Sequence, residues 1–172
     1  MDTILKVMNV TKVYHTGQNP SLHEVSFEVA RGEFIGIMGA SGSGKTTLLN
    51  ILSTIDKPTS GEVLIDGVSL KSLSDSKAAD FRRDNLGFIF QEYFLLDSLT
   101  IFENIAVPLT LQKMSPNKIE KAVRSLAERF GIASQLSKYP GQLSGGQRQR
   151  ASAARAPVKN PGILFADEPT GT

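Results

Sequence analysis

The sequence contains no cysteine, which excludes disulfides and thiolate metal sites and suits a reducing compartment. No apolar stretch approaches the roughly 20 residues that cross a bilayer. The opening residues, Met1-Asp2-Thr3-Ile4-Leu5-Lys6, lack the basic start and long apolar run of a signal peptide. No charge of one sign dominates. Nineteen Lys and Arg against seventeen Asp and Glu leave a net charge of +2, and the basic residues are scattered, so no nucleic-acid partner is expected. The two histidines, His15 and His23, stand without acids or nucleophiles at a recognisable spacing. Internal repeats and low-complexity segments are also missing. What remains is 172 residues, 40% hydrophobic and 21% charged, enough for one α/β domain with a real core and an expected place in the cytoplasm.

Two runs, Ile4 to Val13 and Leu22 to Val29, alternate in the manner of strands. Phe34-Ile35-Gly36-Ile37-Met38 is a short apolar run suited to a buried strand. A helix is expected over Thr46 to Ser53, a turn over Asp56 to Gly61, and a strand over Glu62 to Gly67. From about Ser74 to Ala156 the pattern becomes mainly helical. Ser115-Pro116 marks a helix start, Ile119, Val123, Leu126, Ala127 and Phe130 recur on one face, and Gly131 supplies the stop. A second helix is expected over Ser144 to Ala156.

Three motifs carry the chemistry. Gly39-Ala40-Ser41-Gly42-Ser43-Gly44-Lys45-Thr46 fits the G-x-x-x-x-G-K-[ST] phosphate loop, with an apolar run before it and a helix after it. Glycines let the chain wrap its N–H groups around a phosphate, and the helix start adds its positive dipole end. Lys45 is expected on the β- and γ-phosphates and the Thr46 hydroxyl on Mg²⁺. Ile163-Leu164-Phe165-Ala166-Asp167-Glu168 is an apolar strand delivering two carboxylates at its carboxyl end, where open α/β sheets bind ligands. That placement suits Asp167 for holding Mg²⁺ through water and Glu168 for activating an attacking water. Leu143-Ser144-Gly145-Gly146-Gln147 opens a helix with free N–H groups and a hydroxyl, a second anion-binding end within one chain.

In this order the three motifs resemble the ATP-binding subunit of an ABC transporter, and the similarity runs through essentially the whole chain. It implies a RecA-like phosphate-loop core with a mostly parallel sheet, an N-terminal antiparallel β portion and a helical insertion. It further implies ATP and Mg²⁺ held by residues 39–47, Thr47 included. Gln91, in Gly87-Phe88-Ile89-Phe90-Gln91, would coordinate Mg²⁺ or the attacking water, and Tyr14 would stack on adenine. The Leu143–Gln147 signature would contact the γ-phosphate held by a second ATP-binding subunit in a head-to-tail dimer. A membrane permease subunit is the other implied partner, holding the chain at the inner face of the membrane. The apolar stretches Glu92 to Leu96 and Leu99 to Asn104 suit either a groove for a partner's helix or simple core packing. Arg148, Arg150 and Arg155 read as a solvated or ion-paired helix face. The wording of Leu48 to Gly61 is similar to the bacitracin-export type, near the macrolide-export and lipoprotein-release groups.

Two departures from the family pattern carry expectations. Pro157 stands where relatives continue the signature helix, so an early stop or kink is expected there. Relatives also continue past the glycine matching Gly171 with a helix and strands bearing a switch histidine. A chain ending at Thr172 would lack a central strand of the sheet, so that backbone groups go unpaired or the sheet rearranges. Such a single truncated domain, 1–172, is expected to be poorly stable and to hydrolyse ATP weakly, which keeps a non-hydrolysing nucleotide-binding fragment as the alternative. DNA-repair and translation members fit less well, because neither a long coiled coil nor a second tandem domain is present.

Overall fold

The computed structural model describes residues 2–15, 19–90 and 92–167, in two compact units, Met1–Arg82 and Arg83–Thr172. In the first unit, strands β1 (Thr3–Lys12), β2 (Leu22–Ala30), β3 (Ser60–Ile65) and β4 (Val68–Ser69) form an antiparallel sheet in the order β2-β1-β3-β4. Leu5 and Val7 of β1 face inward with Ile65 and Val63 opposite them. The alternation of β1 then slips. A register shift between Val7 and Val10, with Asn9 at φ 47°, turns Val10 inward as well. Ser26 Oγ secures that bulge by accepting from the Asn9 N–H at 2.8 Å and donating to Asn9 Oδ1 at 2.9 Å. Helix α1 (Lys45–Leu52) buries Leu48, Ile51 and Leu52.

One expected strand does not form. Phe34–Met38 belongs to neither sheet among the described residues, and Phe34 and Met38 are 96% and 94% exposed. An apolar strand is stable only when neighbours on both sides take up its N–H and C=O groups, and neither sheet offers this run a ladder.

Helix α2 (Asp75–Asn85) leads into the second unit, where β5 (Leu86–Ile89) and β6 (Ile163–Ala166) pair in parallel, Phe88 opposite Phe165. Their rings stack at 5.7 Å. Helices α3 (Ile101–Leu111), α4 (Pro116–Arg129) and α5 (Gly145–Arg155) enclose one apolar cluster. Ile101, Ile105 and Leu109 meet Val123, Ala127, Ala151 and Ala154 there, while Ile119, Leu126 and Phe130 pack against its margin. The stripe expected on α4 is therefore its core face. Ser115 is the N-cap of α4 through its backbone, with Pro116 in the first turn. Helix α5 ends at Arg155, so Pro157 falls outside it and its cost of about 3 kcal/mol is avoided.

Helix α3 starts on a capping box. Thr100 Oγ1 accepts from the Glu103 N–H at 3.2 Å, and Glu103 Oε2 accepts from the Thr100 N–H at 2.7 Å. The Thr100 N–H first, and then the Thr100 hydroxyl, which also donates to Glu103 Oε2 at 2.7 Å, hold the Glu103 carboxyl below its ordinary value. Thr100→Ala is expected to cost about 1 kcal/mol in urea denaturation. The Glu103 contribution has a pH sign. Because the folded value is depressed, its stabilisation is complete above 4.5 and disappears as pH falls through the lower folded value. A Glu103→Gln protein should accordingly lose less stability than the parent between neutral pH and pH about 3.

Candidate functional site

The loop from Gly39 to Gly44 carries two left-handed glycines, Gly42 at φ 78° and Gly44 at φ 90°. Gly44 is the N-cap of α1 and offers no side-chain cap, so the first-turn N–H groups of the helix lack an internal acceptor. A Cβ at Gly44 would lie 2.4 Å from the Ser21 carbonyl oxygen and 2.9 Å from Leu22 Cδ2. The loop is thus pressed against the start of β2 at this point, and only glycine fits there. Ala40, Ser41, Gly42, Ser43 and Thr46 are exposed.

Lys45 folds back over the loop. Its Nζ donates to Gly39 O at 2.7 Å and to Ala40 O at 2.9 Å, holding the amine beside the uncapped helix end. The result is a cationic group and unpaired N–H donors in one exposed cradle, the chemistry a polyphosphate requires. Tyr14 joins the same cradle from the end of β1, where its hydroxyl bonds to Thr47 Oγ1 at 3.4 Å. The ring stays 51% exposed.

In the second unit, Ser144 caps α5. Its Oγ accepts from the Gln147 N–H at 3.4 Å, and Gln147 Oε1 accepts from the Ser144 N–H at 3.0 Å. Leu143 is buried in the helical cluster. A Cβ at Gly145 would meet nothing within 4 Å, and one at Gly146 would meet only the tip of Arg150 at 3.6 Å. Neither glycine has a left-handed backbone. Nothing among the described residues calls for glycine at either position. Asp167 follows β6, its N–H extending the ladder to Ile89 O at 3.0 Å. Gln91 and Glu168 lie outside the described residues. No cluster of metal-ligating side chains occurs among the described residues, and no helix among them is long and apolar enough to cross a membrane.

Arg155 departs from expectation. It is half-buried, and among the described residues its partners are backbone carbonyls, with no ion pair. Its guanidinium donates to Phe94 O at 2.6 Å and Tyr93 O at 2.8 Å, and Ser152 Oγ donates to Tyr93 O at 2.9 Å. Burial pulls the Arg155 guanidinium below its ordinary value. These bonds fix two consecutive non-glycine residues in the left-handed region, Tyr93 at φ 58° and Phe94 at φ 43°. Helices α3 and α4 flank an open apolar groove of about 670 Å³ lined by Leu99, Phe102, Val107, Leu111 and Ile119, with Glu103 and Glu120 also in its walls. The apolar stretch of 99–104 therefore divides. Ile101 and Asn104 are wholly buried, whereas Leu99 and Phe102 line the groove.

A family profile described as "ABC transporter" matches residues 22–171, and the chain belongs to that family as an ATP-binding domain. Members of the family bind ATP, typically with Mg²⁺. It is 50% identical over 173 residues to the ABC transporter ATP-binding protein YxdL of Bacillus subtilis, covering 99% of this chain and 67% of that protein. It is 49% identical to the bacitracin export ATP-binding protein BceA of Halalkalibacterium halodurans, covering 98% and 67%. Against the lipoprotein-releasing system ATP-binding protein LolD of Shewanella denitrificans the identity is 44%, covering 98% and 73%. The chain thus spans about two thirds of the length of the first two relatives. Among solved structures, the dimeric ATP-binding cassette MJ0796 bound to ADP and Pi superposes with a TM-score of 0.87 at 41% identity, over 96% of this chain and 74% of that one.

Proposed function

We propose that this chain binds MgATP and, paired head to tail with a second ATP-binding subunit, hydrolyses it to drive a membrane permease that exports antibiotic peptides. The observation that carries the reading is Lys45 folded over Gly39 and Ala40 beside the uncapped start of α1. In this reading residues 39–47 hold the phosphates, Lys45 bonds the β- and γ-phosphates, and Tyr14 takes the base. Thr46, Asp167 and Gln91 hold Mg²⁺, which supplies charge neutralisation when bound. Glu168 acts as general base toward water. Leu143–Gln147 faces the nucleotide of the other subunit, which accounts for two glycines that nothing among the described residues demands. The groove between α3 and α4 receives an apolar helix of the permease and holds the chain at the inner face of the membrane. The export assignment follows the 49% identity to the bacitracin-export relative.

Gly146→Ala tests the dimer reading. An added Cβ would meet only the tip of Arg150, at an ordinary contact distance of 3.6 Å, so stability is expected to stay within about 0.5 kcal/mol. Turnover in the assembled transporter should fall about 100-fold through misplaced phosphate contacts. Unchanged turnover would remove the signature from the site.

A second reading has its own observation. Phe34–Met38, the run feeding the phosphate loop, stands outside both sheets among the described residues, which favours a chain that binds nucleotide without turning it over. Nucleotide binding and phosphate release measured on one sample of 1–172 separate the two: binding with no release supports the fragment, and binding with release supports the ATPase.

A further inference from the structure

Lys12, beside Tyr14, is tightly constrained. Its side chain is only 13% exposed, far less than is usual for lysine. The Nζ donates to Asp56 Oδ1 at 2.7 Å and to Lys57 O at 2.8 Å. It also lies over the Tyr14 ring, 4.9 Å from the centroid. Asp56 is itself fixed. Burial alone would push its carboxyl up, but the bonds from Lys12 and from the Lys57 N–H outweigh that and hold it low. One aromatic ring is therefore held by a desolvated ammonium against its face, by Thr47 of the first turn of α1 at its hydroxyl, and by a polar interaction of its side chain with Asp56.

We propose that Lys12 is a positioning residue for the nucleotide base, holding the half-exposed Tyr14 as a preset platform with a cation on one face, so that a heteroaromatic ring stacks on the other. The proposal rests on the nucleotide-binding reading above and adds a residue to it. Cation–ring attraction strengthens as the cation loses water, and Lys12 is mostly buried. The charge draws ring electron density toward itself, which makes the far face a better partner for an electron-rich purine. A ring fixed in advance also loses less freedom when the base arrives. The simpler alternative is that Lys12 only ties residues 56–57 to β1 through its ion pair.

The two ideas separate on a ligand without a base. Affinities of 1–172 for ATP and for inorganic tripolyphosphate, both with Mg²⁺, would be measured by calorimetry for the parent, Lys12→Met and Lys12→Arg. Lys12→Met is expected to weaken ATP about tenfold and leave tripolyphosphate unchanged. Lys12→Arg keeps a cation over the ring and should restore ATP binding to within about twofold. Equal losses for both ligands, or no loss for either, would overturn the proposal and leave Lys12 as a structural ion pair. A parent that binds ATP no more tightly than tripolyphosphate would instead remove the base platform at Tyr14, and the role of Lys12 with it. Parent binding to neither ligand would sink the nucleotide-binding reading as a whole.

Discussion

Lys45→Ala is expected to weaken MgATP binding by two to three orders of magnitude while leaving the fold nearly as stable as before. A charge-assisted hydrogen bond contributes about 1.5–3 kcal/mol, and the amine would make such bonds to two phosphates. A loss of about 3–4 kcal/mol corresponds to a few hundred-fold in affinity. Among the described residues the same amine bonds the carbonyl oxygens of Gly39 and Ala40, in an exposed loop. Water can replace those bonds, so the stability cost should stay near 1 kcal/mol. Calorimetric titration with MgATP, paired with urea denaturation, measures both sides. Affinity within about threefold of the parent would exclude Lys45 from phosphate contact. A matched fall in stability and affinity would make it a structural clasp instead.

Local signals and remote contacts account for what the sequence reveals and what it hides. The start of α4 at Ser115-Pro116 and the stop of α5 before Pro157 follow from chemistry within a few residues of each boundary. So does the cap of α3, for which the Thr100-x-x-Glu103 spacing is signal enough. Phe34–Met38 differs because a strand exists only with its neighbours, and its composition says nothing about whether a ladder is present. Arg155 reads as a surface residue until the backbone it serves, 61 and 62 residues earlier, is folded against it. Lys12 is hidden for the same reason, its partner Asp56 being 44 residues away. At the candidate site the glycine spacing of the phosphate loop is legible. The placing of Tyr14 at the base rests on a resemblance, and its tie to Thr47 is visible only in the geometry.

Gly44→Ala should be the most disruptive small change in the phosphate loop, and Gly42→Ala the informative control. Both glycines adopt positive φ, at 90° and 78°, so each alanine carries the left-handed penalty of about 1 kcal/mol. At Gly42 nothing lies within 4 Å of the added Cβ, and the penalty ends there. At Gly44 the Cβ arrives 2.4 Å from a backbone oxygen, Ser21 O, which cannot rotate aside. Either the start of β2 or the entry to α1 must shift, at a total cost of about 3 kcal/mol or more. Because Leu22 also lies 2.9 Å away and is buried, the shift would disturb packing as well as the loop. Thermal denaturation of the two variants should thus separate them by several degrees. MgATP affinity should fall at least tenfold further for Gly44→Ala, since the first-turn N–H groups of α1 move with the backbone that clashes. Equal behaviour of the two variants would mean that the loop yields freely at Gly44. The cradle would then have to form around its ligand instead of standing ready for it.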